Sequence, residues 1–296
     1  MGSVIITGGT GLVGKRLCSL LQQSGYEVRI LTRNPKYANE YKWDIKNKYI
    51  DPKVLVGAEA IIHLAGASVG EKRWTTERKK AILESRVASL DLLYHYLINH
   101  HHTIQTFISA SAVGYYGDCG NKLLTEESPN GKGFLAEVCK IWEDKTEQIS
   151  RLGISVSSVR IGVVLSTEGG ALPKLSLPVK LGISSYIGSG EQYLSWIHID
   201  DLCNLFLHLL KTKLSGVFNA CAPNPETNKN TTATIAKVLK RPFIPVPVPA
   251  MLLKLSMGEM SAIVLDSQRC DSTKIMESGF TFQYADLETA MHNLFK

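Results

Sequence analysis

The sequence predicts an α/β fold in which helices cover both faces of a doubly wound parallel sheet, with a small C-terminal lobe for substrate. Short apolar segments alternate with longer helical segments over most of residues 1–165. The chain also opens with an apolar strand segment at residues 4–7, a glycine-rich turn and a helical pattern from Leu12. Alternation of this kind is typical of parallel strands joined by helical crossovers.

The glycine-rich turn has the features that a dinucleotide pyrophosphate requires. Gly8 allows a tight turn, Gly11 lets the backbone approach the phosphates, and Gly14 lets the helix pack closely on the strand. The helix that follows presents its N-terminus, which favours anions. Because the spacing is GxxGxxG rather than GxGxxG, an ordinary strand-turn-helix is the alternative interpretation.

The end of the second predicted strand, residues 27–32, indicates which dinucleotide binds. NAD-dependent sites usually place an acidic residue near this point to bind the ribose 2′-hydroxyl. This chain has Thr32 and Arg33 instead. Arg33 can bind a 2′-phosphate through paired hydrogen bonds, whereas a carboxylate would repel it. We therefore expect NADP rather than NAD, and the alternative is that Arg33 is a solvated residue at a strand end.

Composition and charge limit the other classes of function. The 296 residues are 44% hydrophobic and 20% charged, as in an ordinary soluble globular protein. The net charge of +6 is scattered along the chain, which suits an anionic small ligand and gives no case for nucleic acid. Consecutive histidines at 100–102 do not converge on one ion, so we expect no metal site.

The same survey addresses the location of the protein. No segment has about 18 consecutive apolar residues, so we expect no membrane span. The N-terminus enters the first strand directly, which leaves no room for a signal peptide. Six cysteines without a CxxC motif favour a reducing compartment. We therefore expect a cytoplasmic location.

The remaining elements follow from apolar periodicity and from glycine and proline breaks. Predicted strands lie at residues 41–45, 60–64, 106–110 and 155–161, and predicted helices at 12–21, 76–99, 134–152, 199–210, 230–239 and from 286 onward. We predict loops over 169–190 and a proline-interrupted segment over 242–249. We assign residues 1–165 mainly to a cofactor domain and 166–296 mainly to a substrate lobe, with 196–220 returning to the cofactor domain.

Residues that follow two of the predicted strands lie where open α/β sheets bind ligands. The small residues Ala65 and Gly66 would let the backbone pass close to a ligand. Ser111 brings a hydroxyl to the same edge. Arg86, on the long helix, would either reach a cofactor phosphate or lie on a solvated face. We interpret His63 as a core histidine.

Five segments together resemble the extended short-chain dehydrogenase/reductase superfamily, and they are specific in combination. They are TGGTGLVG at 7–14, HLAG at 63–66, SASAVGYYG at 109–117, RIGVV at 160–164 and WIHIDDL at 196–202. The atypical epimerase-like branch is the most similar, through Trp142-Glu143 and the segment GFTFQYADLETA at 279–290. The resemblance covers the chain from end to end.

This resemblance implies a Rossmann-type sheet that binds NAD(P), with the C-terminal lobe closing over substrate. Carried over position by position, it implies a set of cofactor contacts. They are Gly8, Thr10, Gly11, Leu12 and Val13 around the pyrophosphate, Thr32 and Arg33 at the adenosine phosphate, Asp44 at the adenine, Leu64, Ala65 and Gly66 at the ribose, Val164 near the nicotinamide, and Arg86 and Ser109 elsewhere along the cofactor.

The usual chemistry of this superfamily requires a tyrosine, a lysine four residues later on the same helix face, and a hydroxyl that orients the carbonyl. Ser111 fits the orienting hydroxyl and Lys140 fits the lysine. However, Ala136 stands four residues before Lys140, and an alanine cannot transfer a proton. The standard pair is therefore broken.

Three interpretations remain open. Tyr115 or Tyr116 supplies the phenol from the adjacent loop, although each would equally suit packing. Alternatively, a substrate group or Glu137 takes the proton, although Glu137 also suits a solvated helix face. In the third interpretation no hydride chemistry occurs, and the domain senses the nucleotide.

A second departure lies just before the WIHIDDL segment. Relatives that act on nucleotide sugars often carry an arginine two positions before the aromatic residue, where this chain has Leu194. A diphosphate clamp is therefore missing, which weakens the expectation of a nucleotide sugar. We expect Asp200 and Asp201 to be structural, capping the helix that follows.

Taken together, the sequence predicts an NADP-dependent oxidoreductase or epimerase-like enzyme that acts on a small polar molecule. Ser111, Tyr115, Tyr116 and Lys140 are the candidate catalytic residues. A homodimer is compatible with the sequence. The alternative function is a catalytically silent NADP-binding regulator or partner-binding protein.

Overall fold

The fold is organised around a parallel sheet, as the sequence predicts. The computed structural model describes residues 2–243 and 246–296. Within these residues, eight strands form one sheet in the order 216–220, 155–161, 106–112, 58–63, 3–7, 27–32, 40–44 and 49–50. All neighbours are parallel except the last two strands, 40–44 and 49–50, which are antiparallel. The predicted doubly wound α/β fold is confirmed. Two predictions extend beyond the described residues: Met1 in the first segment, and Ile244 and Pro245 in the segment 242–249.

The strands of the described residues are short, and the helices alternate with them. The strands are β1 (Ser3–Thr7), β2 (Glu27–Thr32), β3 (Glu40–Asp44), β4 (Tyr49–Ile50), β5 (Ala58–His63), β6 (Thr106–Ala112), β7 (Leu123–Leu124), β8 (Ser155–Ile161), β9 (Val163–Leu165), β10 (Tyr186–Ile187), β11 (Tyr193–Leu194), β12 (Trp196–His198), β13 (Gly216–Ala220), β14 (Glu226–Thr227), β15 (Pro247–Val248) and β16 (Arg269–Cys270). The helices are α1 (Leu12–Gln23), α2 (Thr76–Asn99), α3 (Phe134–Glu147), α4 (Leu172–Lys180), α5 (Ile199–Thr212), α6 (Asn228–Val238), α7 (Ala250–Met257), α8 (Ala262–Leu265), α9 (Thr273–Glu277) and α10 (Leu287–Leu294).

The two faces of the sheet bury separate apolar layers. Val4 and Ile6 of β1 point to a layer formed with α1 and α5, whereas Ile5 points to a layer formed with α2 and α3. Successive side chains of a strand point to opposite faces, so a continuous apolar strand is what a sheet covered on both faces requires. A third apolar cluster, which includes Trp196 and Met291, packs α4, α6 and α10 together, and we call the region around it the C-terminal lobe.

Two local predictions are wrong. The loops predicted over 169–190 contain α4, since Pro173 stands in the first turn of the helix, where its missing N–H costs nothing. Leu172 and Val179 bury one side of α4 in the lobe. The second wrong prediction is that Asp200 and Asp201 cap α5. The cap is His198, whose ring nitrogen accepts the backbone N–H of Asp200.

The two aspartates at the start of α5 have other structural roles. The Asp200 carboxylate forms an ion pair with Arg16 of α1 at 2.6 Å. The buried Asp201 carboxylate accepts the backbone N–H groups of Gln283 and Tyr284 at 2.8 and 2.9 Å. Asp201 therefore holds the segment before α10 against α5.

Further contacts attach the end of the chain to the main sheet. The Asn219 amide of β13 donates to the carbonyl oxygens of Leu124 and Asp271. The short strand β16 pairs with β7, which follows β6 in the chain. Cys270 donates its backbone N–H to Ser195 Oγ at 2.9 Å. The C-terminal segment is thus hydrogen-bonded to several earlier elements.

A segment of the lobe also crosses to the start of α2. Met260 and Ile263 pack in an apolar cluster with Trp74, Ile82 and Val138. Lys79 and Glu259 form an ion pair across the same contact. The lobe is therefore in direct contact with the sheet domain here. None of the helices in residues 2–243 and 246–296 is long and apolar enough to cross a membrane.

We expect Asp201→Ala to lower the free energy of unfolding by about 1–3 kcal/mol for each N–H left without an acceptor. The reason is that Gln283 and Tyr284 would both lose their partner in a buried environment. Urea denaturation measures the change. The matched control is Asp200→Ala, whose ion pair is partly exposed, so its effect should be about 1 kcal/mol or less. Equal effects would contradict the role assigned to Asp201.

Candidate functional site

The turn after β1 lies in close contact with the turn after β5. Gly8 has a left-handed φ of +72°, and a Cβ there would lie 2.9 Å from the carbonyl carbon of Leu64. A Cβ on Gly14 would lie 2.2 Å from the carbonyl oxygen of Gly8, so the helix start packs directly on the turn. Only glycine fits either position. The glycine spacing therefore serves the backbone contacts that shape a cleft at the end of the sheet.

Thr7 and His63 hold the second turn in place. The Thr7 hydroxyl oxygen accepts the backbone N–H groups of Leu64 and Ala65, both at 3.2 Å. Its proton is donated to His63 Nδ1 at 2.8 Å, which leaves Nε2–H to donate to the Ser89 hydroxyl at 3.1 Å. Burial lowers the pKa of His63 to about 3, so the ring is neutral. His63 is a core residue that positions the turn.

The cleft beside these turns has a volume of about 390 Å³. It extends from the glycine turn to the ends of β2 and β3. Its lining includes most of the residues predicted around the phosphates, the ribose and the 2′-phosphate: Gly8, Thr10, Gly11, Thr32, Arg33, Leu64, Ala65 and Gly66, together with Leu31, Trp43, Ile45, Ala67 and Ser85. The fold thus brings these residues together in one concave surface.

Other predicted cofactor residues lie outside the lining of this cleft. Leu12, Val13 and Val164 pack against the apolar layer under the glycine turn. The Asp44 carboxylate accepts the backbone N–H and the side-chain amide of Asn47, which lowers the pKa of Asp44. Its chain neighbours Trp43 and Ile45 line the cleft. Ser109 is predicted to contact the cofactor, but it does not line the cleft. It is fully buried within β6, and its hydroxyl donates to the carbonyl oxygen of Ala110.

Arg86 lies directly behind the turn at Gly66. Its guanidinium carbon is 3.1 Å from the place of a Cβ on Gly66 and 4.7 Å from the ring centre of Trp142. Its hydrogen bonds go to the carbonyl oxygens of Ala67 and Ile82. Burial lowers its pKa, and no carboxylate of the described residues forms an ion pair with it. A half-buried cation without an anionic partner favours an anionic ligand.

A second cavity, of about 200 Å³, lies where β6 and β8 end. We call it the strand-end cavity. Its inner wall is formed by Ala112, Val113 and Gly114 after β6 and by Ile161, Gly162 and Val163 after β8. The remaining walls come from Val69, Trp74, Gly117, the segment 132–136, and the lobe residues Ala262, Ile263, Asp266 and Gln268. Its position at the carboxyl ends of parallel strands is where open α/β sheets bind substrate.

Ser111 and Tyr116 belong to a buried ion-pair network and do not line the strand-end cavity. The Ser111 hydroxyl donates to Glu143 Oε1 at 2.6 Å. Arg160 donates to both oxygens of Glu143, at 2.9 and 2.8 Å, and to the Tyr116 hydroxyl at 2.9 Å. Tyr116 in turn donates to Asn219 at 2.7 Å and is fully buried, which raises its pKa. Tyr116 is therefore a structural residue of this network and not the predicted proton donor.

Tyr115 packs on the same network. Its ring lies over the Arg160 guanidinium, 3.5 Å from ring centre to carbon, and edge-on to the ring of Tyr116. Its backbone carbonyl accepts the Asn130 amide at 2.8 Å. Tyr115 does not line the strand-end cavity. Both tyrosines thus have the packing role that was the alternative to catalysis.

Residues of α3 pack at the end of β6 beside the predicted pair Ala136 and Lys140. A Cβ on Gly114 would contact Leu135 Cβ at 3.3 Å and Cys139 Sγ at 4.0 Å. Leu135 and Ala136 both line the strand-end cavity. Burial raises the pKa of the Cys139 thiol to about 12, so it is neutral. Lys140, which is predicted to be catalytic, is exposed, pairs with Asp144 at 3.1 Å and does not line the strand-end cavity.

Comparison with known proteins identifies the family. A model of the NAD-dependent epimerase/dehydratase family matches residues 4–221. The chain belongs to this family. A model of a domain of unknown function, DUF1731, matches residues 248–294. An epimerase family protein of Staphylococcus saprophyticus is 38% identical over 304 residues, which cover 99% of each chain.

Two solved structures of epimerase-family proteins are similar along the whole chain. The human epimerase family protein SDR39U1 (isoform 2), solved with NADPH, has a TM-score of 0.89 and 28% identity, covering 99% of this chain and 98% of that one. A nucleoside-diphosphate sugar epimerase from Corynebacterium glutamicum has a TM-score of 0.81 and 35% identity, covering 99% of this chain and 57% of that one. These matches agree with the predicted resemblance to the atypical epimerase-like branch.

Asp266 is an ionisable group at the strand-end cavity that sequence reasoning missed. Its side chain is half-buried beside Asp118, and burial followed by that neighbouring charge raises its pKa to about 6. Its carboxyl receives no hydrogen bond from the described residues that would lower this pKa. No local sequence motif marks it, because the residues around it at 69–74, 112–118 and 132–136 are far away along the chain.

Glu143 balances the buried charge of Arg160, so we expect Glu143→Ala to destabilise the fold by about 3–5 kcal/mol. Thermal or urea denaturation measures this change. Asp144→Ala is the matched control, because its partner Lys140 is exposed and the expected loss is about 0–1 kcal/mol. A small loss for Glu143→Ala would show that the network is not a stabilising element.

Proposed function

We propose that this family member binds NADP(H) in the cleft and interconverts a carbonyl compound and its alcohol at the strand-end cavity. The observation that carries the proposal is Arg86, a half-buried cation without a carboxylate partner among the described residues, beside a glycine-lined cleft. A phosphate-bearing dinucleotide supplies the missing negative charge. A homodimer and a cytoplasmic location stay predictions.

The residues of the cleft divide the proposed cofactor between them. Gly8, Thr10 and Gly11 would face the pyrophosphate at the start of α1, where backbone N–H groups and the helix dipole favour anions. Arg33 would bind the 2′-phosphate at the end of β2. In support, the human relative SDR39U1 was solved with NADPH.

Bound in this way, the nicotinamide ring would supply or accept a hydride. The chain itself must then hold and move a proton. We propose Asp266 for this role, because its carboxyl lines the strand-end cavity and burial raises its pKa to about 6. With that pKa, about half of the molecules carry the proton at pH 6 and about a tenth at pH 7. The protonated oxygen would donate to the substrate oxygen during reduction and accept the proton back during oxidation.

A second candidate function is a nucleotide-dependent regulator without turnover. One observation favours it: among the described residues, no serine or tyrosine hydroxyl lines the strand-end cavity. The residues that line this cavity therefore include neither the hydroxyl that usually orients the substrate nor the phenol that usually transfers the proton. Tight NADPH binding without turnover of any carbonyl compound would support this function over the first.

Arg33→Ala should weaken NADPH binding by about 1–3 kcal/mol, because a charge-assisted hydrogen bond to the 2′-phosphate would be lost. NADH binding should change little, since NADH lacks that phosphate. Calorimetric titration with both nucleotides measures the difference. Lys42→Ala, which removes an equal charge from an exposed position of β3, is the control. Equal weakening of both nucleotides by Arg33→Ala would contradict the 2′-phosphate contact.

For NADPH-dependent reduction of a carbonyl compound, we expect the rate to fall as pH rises above about 6, because Asp266 must carry its proton to donate it. Asp266→Asn should lower the rate by about 100-fold or more and remove this pH dependence. A steady-state absorbance assay across pH measures both effects.

The control for this variant is Asp144→Asn, an exposed carboxylate on α3. NADPH affinity should be the same in wild type and in both variants. If Asp266→Asn keeps both the rate and the pH profile, the proton comes from another group, while the proposed cofactor site stands on the binding data.

A further inference from the structure

The walls of the strand-end cavity carry information about the substrate. Apart from backbone, its interior is made of Val69, Trp74, Val113, Phe134, Leu135, Ile161, Val163 and Ile263 with three alanines. Sugar hydroxyls placed against such walls would lose their hydrogen bonds to water without replacement. The composition of the walls therefore favours an apolar group.

An aromatic pair forms one side of this cavity. The rings of Trp74 and Phe134 meet edge to face, with centres 5.0 Å apart and an angle of 66°. Trp74 donates its indole N–H to the carbonyl oxygen of Val69 at 2.9 Å, so the polar end of the indole is already satisfied. Ile263 of the lobe and Leu135 of α3 pack in the same cluster. The pair thus presents apolar ring surface to the cavity.

The lining also contains three polar side chains, Lys132, Asp266 and Gln268, and of these only Asp266 faces a ligand in the cavity. Gln268 donates its amide to the carbonyl oxygen of Gly117 at 2.9 Å. Lys132 is exposed. Asp266 is the exception, and it also lines a wider outer groove together with Lys132, Trp74 and Phe134. The polar groups therefore lie toward the side of the cavity that opens to this groove.

The volume sets the size of the group that fits. An apolar cavity of about 150 Å³ in another protein binds benzene. The strand-end cavity, at about 200 Å³, has room for one substituted six-membered ring. A nucleotide sugar is much larger and polar throughout, and Leu194 occupies the position of the arginine predicted to clamp its diphosphate.

We propose that the substrate carries an apolar, ring-sized group next to its carbonyl or alcohol carbon, and that this group binds between the Trp74–Phe134 pair and Ile263. The proposal deepens the proposed function, and it replaces the small polar molecule that the sequence predicts. The substrate oxygen lies toward Asp266, on the side of the cavity that opens to the outer groove. Ala262 lines the cavity on the lobe side.

The test is binding of 4-fluoroacetophenone to the NADP⁺-loaded protein, followed by fluorine NMR. The cofactor is present because the proposed nicotinamide position borders the same strand ends. We expect a Kd of about 1 mM or tighter. Ala262→Phe fills the cavity and should weaken this binding by about 10-fold or more. Ala81→Phe, the same substitution on an exposed position of α2, should leave it unchanged.

Two further measurements keep the result decisive. NADP⁺ affinity of each variant, by calorimetry, shows whether the variant is folded; if Ala262→Phe fails to fold, Ile263→Asn replaces it, since a polar wall should weaken the probe by a similar factor. UDP-glucose is added as a competitor and should not displace the probe.

The proposal is overturned if the probe does not bind, if both cavity variants bind it as wild type does, or if UDP-glucose displaces it. These outcomes are separate from failure of the proposed function. If the wild type does not bind NADP⁺, the proposed cofactor site is wrong. If 4-fluoroacetophenone binds but is not turned over, the result favours the silent regulator, and the proposed ring site stands.

Discussion

The candidate cofactor site depends on the contact between the end of β1 and the turn at 64–66. Gly8 brings the backbone so close to Leu64 that any side chain would collide with it. The Thr7 hydroxyl accepts two N–H groups of the turn, and His63 links Thr7 to Ser89 on α2. A strand end, a turn and a helix are therefore fixed relative to each other before any ligand arrives, so little reorganisation opposes binding.

Buried Arg160 and half-buried Arg86 differ in how their charges are balanced. Arg160 has its charge balanced within the protein by Glu143, and it also donates to Tyr116 and to the carbonyl oxygen of Glu126. Arg86 bonds only neutral carbonyl groups among the described residues and stacks on Trp142. The first arrangement is complete as it stands, whereas the second is stabilised by an added anion. Burial alone therefore does not identify a functional arginine; the charge of its partners does.

The sequence predicted what depends on local pattern. The strand at 155–161 and the helix at 76–99 have the predicted bounds, because apolar periodicity and flanking breaks are properties of neighbouring residues. The contact of Gly114 with Leu135 and Cys139 of α3 was not predicted, since a spacing of four fits both this pair and Ala136–Lys140, and only the fold shows which residues pack against Gly114. Asp266 had no local signal at all, because its burial is produced by elements more than a hundred residues away.

The attachment of the C-terminal segment has a consequence for modularity. Two family models divide the chain, yet the second covers residues that bond to the first through Asp201, Asn219 and the β7–β16 pair. Backbone groups of the segment have their acceptors and donors in the earlier elements, and one side of the strand-end cavity belongs to each. The segment is therefore not an exchangeable unit. Grafting it onto another dinucleotide domain would require matching partners at each of these positions, so the two parts must vary together.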